Sequence, residues 1–399
     1  MRALLMLAGL AAIAAGPSAL AQVWSLGGGA SQRFEIDTNR ALREDSDGVI
    51  FGSISDLDLV LGLETHRADW QLRTGARARA FAGPGDTENL TRIDPKFAFS
   101  GGYGDRRISA SFNFDFDIRP VSFTEFDEEG DIDADGIARD ADAIRTILSA
   151  GAGLTLTLDP RNTLSFSGSG RIERFSEGND RLEPSSSANF GLSWNRRVSP
   201  RTSLSLSSSV QAFRADDLED TRFLSGSVSA GVQRSVTRRL SFGGSAGVSV
   251  TRRSTDTFSP FGTLGRTTTT SVGGVGSLNL SYDLPRTAVV LSASQNVSPS
   301  SEGELQNRTA ANFSVNHRID RRQTVSFKSG VSLRLGIDGE ETRDDGSTFF
   351  QLTPAYSYRM TQDWSANLSY RFRMRNDESG TGISNAVIFG ITRDLAIFP

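Results

Sequence analysis

The residues best placed to do chemistry are charged, and they fall into two groups. The first is an acidic run between Arg119 and Ala141, within which Asp131-x-Asp133-x-Asp135-Gly136 has the spacing that opens a calcium loop. Alternate carboxylates before a glycine that permits a tight turn can converge on one hard cation. Asp142 stands at the twelfth position, where a bidentate Glu usually closes such a loop. Two readings stay open: Ca²⁺ held by Asp131, Asp133, Asp135 and Asp142, or an ordinary acidic loop in water. The second group is Arg73, Arg77, Arg79, Arg171, Arg308, Arg334, Arg371, Arg373 and Arg375, with Asp115 and Asp117. These recur at alternate positions, as do Asp56, Asp58 and Glu64. Charges on one wall of a wet pore tune its ion selectivity; on neighbouring strands they can also simply pair.

Other chemistry is thinly represented. The chain has 2 histidines and no cysteine, so disulfides and thiolate nucleophiles or ligands are excluded and no transition-metal cluster suggests itself. It carries no nucleotide-binding loop, and its net charge of −4 gives no reason to expect nucleic acid as a partner. Apart from Ca²⁺ at the acidic loop, no cofactor is expected.

The elements that must carry these charges are strands. Leu164, Phe166, Gly168, Gly170 and Ile172 alternate with Ser165, Ser167, Ser169 and Arg171. Leu240 to Thr251 and Trp364 to Arg375 repeat the pattern, and a period of two over ten or so residues means β-structure. A short turn carrying Arg with Asp, Asn or Pro returns roughly every 40 residues, as at Gly104-Asp105-Arg106-Arg107, Asp159-Pro160-Arg161-Asn162 and Asp320-Arg321-Arg322. Between such turns lie two long strands joined by a longer, usually acidic loop. This predicts about 18 strands, the first near 23–36 and the last near 384–396, in a transmembrane antiparallel up-and-down β-barrel with short periplasmic turns and long acidic extracellular loops. A soluble β-repeat of the same period would pack four short strands where this chain has two long ones. Hydrophobic residues make up 37% and mean hydropathy is −0.29, values that alternating lipid-facing and lumen-facing positions produce by cancellation.

Arg2, the apolar stretch Leu4 to Ala15 and Ala19-Leu20-Ala21 read as a signal peptide over 1–21, leaving 22–399 as a single barrel domain exported from the cytoplasm. Trp24, Trp70, Trp194 and Trp364 fall beside the predicted periplasmic ends; Phe81, Phe175, Phe213, Phe223, Phe349 and Phe350 fall near the opposite ends. His66 and His317 lie toward the periplasmic side, away from the rim where a lipid hydrolase would work, so an enzyme is not expected.

On these repeats the chain resembles the Gram-negative outer-membrane β-barrels of porin size and, more narrowly, the barrels that accompany exopolysaccharide and exosortase-type gene clusters. The resemblance implies an outer-membrane location in contact with lipid and lipopolysaccharide, and passive diffusion of small hydrophilic solutes, anionic ones among them. A structural or export-assembly barrel that does not conduct by itself is the alternative. The resemblance also implies that the third long loop folds into the pore, with Glu125, Asp127, Glu128 and Glu129 forming an acidic constriction opposite the lumen arginines. A solvated loop outside the barrel is the competing reading. Such barrels usually end on an aromatic residue; here Phe398 precedes Pro399.

Overall fold

The computed structural model describes residues 23–40, 42, 44–46, 48–84, 91–120, 144–176, 184–216, 221–258, 264–299, 305–336, 346–377 and 380–398. The segment read as a signal peptide lies outside them. So does the acidic loop, with its constriction candidates Glu125, Asp127, Glu128 and Glu129 and its calcium candidates Asp131, Asp133, Asp135 and Asp142.

Period-two segments become strands because each can bury one face and wet the other, and closure into a ring removes the unpaired edges. There are 18: β1 (Val23–Asp37), β2 (Ile50–Glu64), β3 (Ala68–Ala82), β4 (Thr91–Gly104), β5 (Ile108–Pro120), β6 (Ile144–Asp159), β7 (Asn162–Phe175), β8 (Ser185–Ser199) and β9 (Thr202–Ala215) form the first half. The second half is β10 (Arg222–Ser235), β11 (Leu240–Phe258), β12 (Leu264–Asp283), β13 (Thr287–Pro299), β14 (Leu305–Arg318), β15 (Gln323–Gly336), β16 (Ser347–Arg359), β17 (Trp364–Asp377) and β18 (Gly380–Phe398). Each pairs antiparallel with the next, and β1 pairs with β18 from Leu26↔Phe398 to Asp37↔Ala386, closing the barrel.

Six of the short turns share one device. Asp105 Oδ1 accepts the backbone N–H groups of Arg107 at 2.7 Å and Ile108 at 2.8 Å, which hold its carboxyl below the usual range. Asp159 and Asp320 do the same for residues two and three places on, and Thr65, Thr237 and Thr361 do it with a hydroxyl. These side chains replace the backbone bonds that a two-residue reversal leaves unmade.

The register separates two faces. Leu57, Leu59, Leu206, Val228, Val248, Leu368 and Phe389 are exposed on the outside, as a barrel surrounded by hydrocarbon requires. All four tryptophans share that face near the short-turn ends, and Trp364 lies under the Arg393 guanidinium at 5.2 Å. Most of the phenylalanines at the other end depart from a matching girdle, while Phe350 faces outward with Met374. Phe81, Phe213, Phe223 and Phe349 point inward and are buried, because their parity on β3, β9, β10 and β16 is that of the lumen residues. The outward face is testable. Val228→Arg is expected to destabilise the refolded barrel by about 2–4 kcal/mol, and Ser227→Arg on the adjacent inward position by less than about 1 kcal/mol. Denaturant midpoints in lipid measure both, and equal losses would reverse the assignment.

Candidate functional site

The polar face of the strands lines the lumen, and cations outnumber carboxylates in its ion-paired clusters. About halfway along β2, Asp56 accepts Arg33 Nη2 at 3.2 Å and Arg77 Nε at 2.6 Å, and Lys96 Nζ closes on the same carboxylate. Nearer the long-loop rim, Asp94 is held by Arg79 and Arg92. Glu173 takes both carboxylate bonds from Arg145 Nη2, at 2.7 and 2.8 Å, with Arg171 against the same group. At the seam between first and last strands, Glu35 and Asp37 face Arg40, Arg371 and Arg373. Arg373 Nη2 lies 2.7 Å from Asp37 Oδ2, both residues are 1% exposed, and Ser384 Oγ donates to the other Asp37 oxygen at 2.7 Å. Each carboxylate serves at least one cation and usually two or three, so among the described residues cations outnumber carboxylates in these clusters.

All eleven wall candidates read from the sequence have inward parity, but their settings differ. Arg73 is exposed in the lumen. Arg77, Asp115, Asp117 and Arg171 are partly exposed there. Arg308 and Arg334 stand opposite each other on β14 and β15, with Arg308 Nε 3.4 Å from Ser332 Oγ, and Arg375 pairs with Asp377. Arg79, Arg371 and Arg373 are packed in ion clusters, and burial removes their guanidiniums from the open lumen. Missed were Arg33, Glu35, Asp37 and Lys96. The alternate charges Arg33-x-Glu35-x-Asp37 in β1 carried the same signal as those of β17. His66 lies in the β2–β3 turn, and His317 Nδ1 is 2.8 Å from Thr287 Oγ1.

The mouth at the long-loop end is narrowed by residues that no motif announced. From Asp37 the first long loop turns over the rim: Thr38 N–H donates to Asn385 O at 3.0 Å, and Arg40 sits 4.2 Å over the Phe81 ring. Leu42 takes a positive φ of 51° and is buried against Phe349. A non-glycine residue in that conformation costs about 1–3 kcal/mol, which its burial must offset. A Cβ on Gly380, at φ +119°, would stand 2.5 Å from the Glu44 carboxyl carbon, so the loop lies directly against the β17–β18 reversal. Phe81 also packs with Ile50 and Ile54.

A second narrowing lies across the barrel. Phe213 and Phe223 stack at 4.3 Å with 4° between their planes, Ala215 beside them. Val297 of β13 packs on this cluster, although β13 is not a neighbour of β9 or β10. It can do so because β12 and β13 pair only from Asp283↔Ala288 to Gly276↔Gln295, while β11–β12 and β13–β14 continue to the rim. Freed from β12, the end of β13 leans inward.

Below these narrowings the wall of β7 to β13 carries hydroxyls. Ser207–Ser229, Ser209–Ser227, Ser241–Ser281 and Ser245–Ser277 each pair across strands at 2.7 Å. A cavity of about 450 Å³ runs between Ser165, Ser193, Ser207, Ser245, Ser294 and Asn296. Another of about 620 Å³ opens at the short-turn end beside Glu64, Asp69, Ser111 and Asn113. The lumen thus pairs a charged wall with a neutral hydroxyl wall.

No family model and no curated protein matches the chain. Among solved structures it is similar to OccAB2 of Acinetobacter baumannii, with a TM-score of 0.50 and 9% identity over 94% of this chain and 98% of that one. OpdL of Pseudomonas aeruginosa aligns at a TM-score of 0.47 and 11% identity over 94% and 99% of the two chains. OccK2 of Pseudomonas aeruginosa, solved in complex with glucuronate, aligns at 0.47 and 9% over 96% and 100%. At these identities it is the fold that is shared, and the chain is an 18-stranded barrel of the outer-membrane type.

Proposed function

We propose that the protein is an outer-membrane channel for passive diffusion of small hydrophilic solutes, with a preference for anions. The carrying observation is the Asp56 cluster, where Arg33, Arg77 and Lys96 surround one carboxylate halfway down a polar lumen. An 18-stranded ring encloses an aqueous path unless loops fill it, and a partly wet site with surplus positive charge concentrates anions there. The hydroxyl wall opposite supplies hydrogen bonds without adding charge. Lipid and lipopolysaccharide would surround the apolar outer face.

The test is single-channel recording of the refolded chain in a planar bilayer under a salt gradient. Discrete openings with a reversal potential on the anion side are expected, and Arg77→Gln with Lys96→Gln should move that potential toward zero. Cation preference would sink the anion assignment.

One observation favours a second reading: Leu42–Phe349, Phe81–Ile50–Ile54 and Phe213–Phe223–Val297 pack apolar groups inside the long-loop end of the barrel. A folded barrel that stayed electrically silent would support a non-conducting export-assembly role, such as with a surface polysaccharide, and overturn the channel.

A further inference from the structure

The ladder between β12 and β13 stops at Gly276↔Gln295, although β12 stays paired to β11 as far as Leu264 and β13 to β14 as far as Pro299. Above the break, Val272 to Val275 of β12 and Asn296 to Pro299 of β13 have no ladder partner on the sides that face each other. The break lies at the depth of the apolar belt: Val248, Val250 and Val272 face outward beside it, and Val272 is 74% exposed. Unpaired backbone at that depth is tolerated only where it is covered by protein or borders a polar cavity.

The surroundings say what such a break can hold. The cavity of about 450 Å³ reaches it: Val275, Gly276, Ser277, Ser294, Gln295 and Asn296 are part of its lining, and none of its lining residues is charged. Asn307, the β14 partner of Val297, has a buried Oδ1 with no hydrogen-bond partner among the described residues. Toward the rim Val297 caps the break, its Cγ2 3.4 Å from where a Cβ on Gly273 would stand. What remains is a window from Gly276 to Gly273, roughly 10 Å along the strand, room for one alkyl chain. Gly274 lies within it with outward parity, and a Cβ there would meet no atom within 4 Å. Serine hydroxyls, an acceptor without a donor and unpaired backbone groups suit a head with several hydroxyls and no charge; Val250 and Val272 outside suit an apolar chain.

We propose that the β12–β13 seam binds an uncharged amphipath, its polyhydroxyl head in the serine cavity and its single apolar chain leaving past Gly274. Two features separate this site from the general lipid-facing surface: the head sits on the lumen side of the sheet, and the chain passes through the wall rather than along it. The site rests on the barrel architecture and needs no conduction.

The test places the refolded full chain in phospholipid nanodiscs with octyl glucoside carrying a diazirine on its alkyl chain, and maps cross-links by mass spectrometry. Saturable labelling of Gly273 to Gly276, Val297 or Asn307 is expected, competed by unlabelled octyl glucoside and at least about tenfold less well by octanol or glucose. Gly274→Trp fills the window and should cut labelling about tenfold or more. Gly226→Trp, at an outward glycine of β10 that also has no atom within 4 Å of its Cβ position, should leave labelling unchanged. Both variants should keep heat-modifiable migration. Should Gly274→Trp fail to fold, Asn307→Leu removes the unpaired acceptor and should weaken binding about fivefold. Octanol competing as well as octyl glucoside would reduce the seam to an apolar crevice, and glucose competing as well would reassign it to a lumen solute; either overturns the proposal. So do equal labelling of wild type and the folded seam variant, and labelling that never saturates, the result that general bilayer contact gives.

Discussion

Arg373→Ala is expected to lower the stability of the barrel by about 3–5 kcal/mol, the usual cost of leaving a buried carboxylate without its cation. Asp37 and Arg373 are each 1% exposed, so losing the guanidinium leaves a carboxylate buried beside the first long loop. Arg371 Nη2 is 3.5 Å from Asp37 and already engaged with Glu35, so it compensates poorly. The Arg373 guanidinium also lies 3.4 Å from the Arg40 carbonyl, and Asp37 Oδ1 accepts the Asn39 N–H at 2.9 Å. The same substitution should therefore unseat the first long loop. Two readouts separate the effects: the denaturant midpoint of the folded band for stability, and unitary conductance for the loop. A midpoint shift below about 1 kcal/mol would mean the pair is solvent-screened rather than buried.

Replacing Phe213 and Phe223 together by alanine is expected to enlarge unitary conductance and weaken the fold. Buried Phe→Ala substitutions cost about 3–5 kcal/mol in a closed core. Each loss should sit at or below the low end here, since lumen water can enter the space. The larger consequence is for β13. Val297 rests on the Phe213–Phe223 stack, and above Gly276↔Gln295 no ladder to β12 holds that end of the strand. Without the stack, the end of β13 loses the contact that supports it. Unchanged conductance would show that the narrowing lies elsewhere, with the first long loop and its Leu42–Phe349 contact the next place to look.

The barrel was legible because each strand reports its own two faces. Leu164 to Ile172 alternates whether or not its partners are known, and Asp105 or Asp320 marks its turn by a bond to residues two and three places on. Strand number, turn positions and the inward parity of Arg73, Arg77, Arg371 and Arg373 follow from such local patterns. The alternate charges of β1 were equally local; Arg33, Glu35 and Asp37 were as readable as the arginines of β17.

What the sequence could not determine is which inward residue meets which. The pairing of Asp37 with Arg373 spans nearly the whole chain and exists only because β1 closes on β18. Closure packed Arg371 and Arg373 into an ion cluster with Glu35 and Asp37, and left Arg33, Arg77 and Lys96 around Asp56 partly exposed in the middle of the lumen. The narrowing by Leu42, Phe349, Phe213 and Val297 depends on contacts between elements that are not neighbours in the sheet, which no period-two pattern encodes. Alternation assigned faces, and hence the membrane-spanning architecture. Tertiary closure alone decided which charges stay open to a solute, because burial and pairing depend on neighbours distant in the chain.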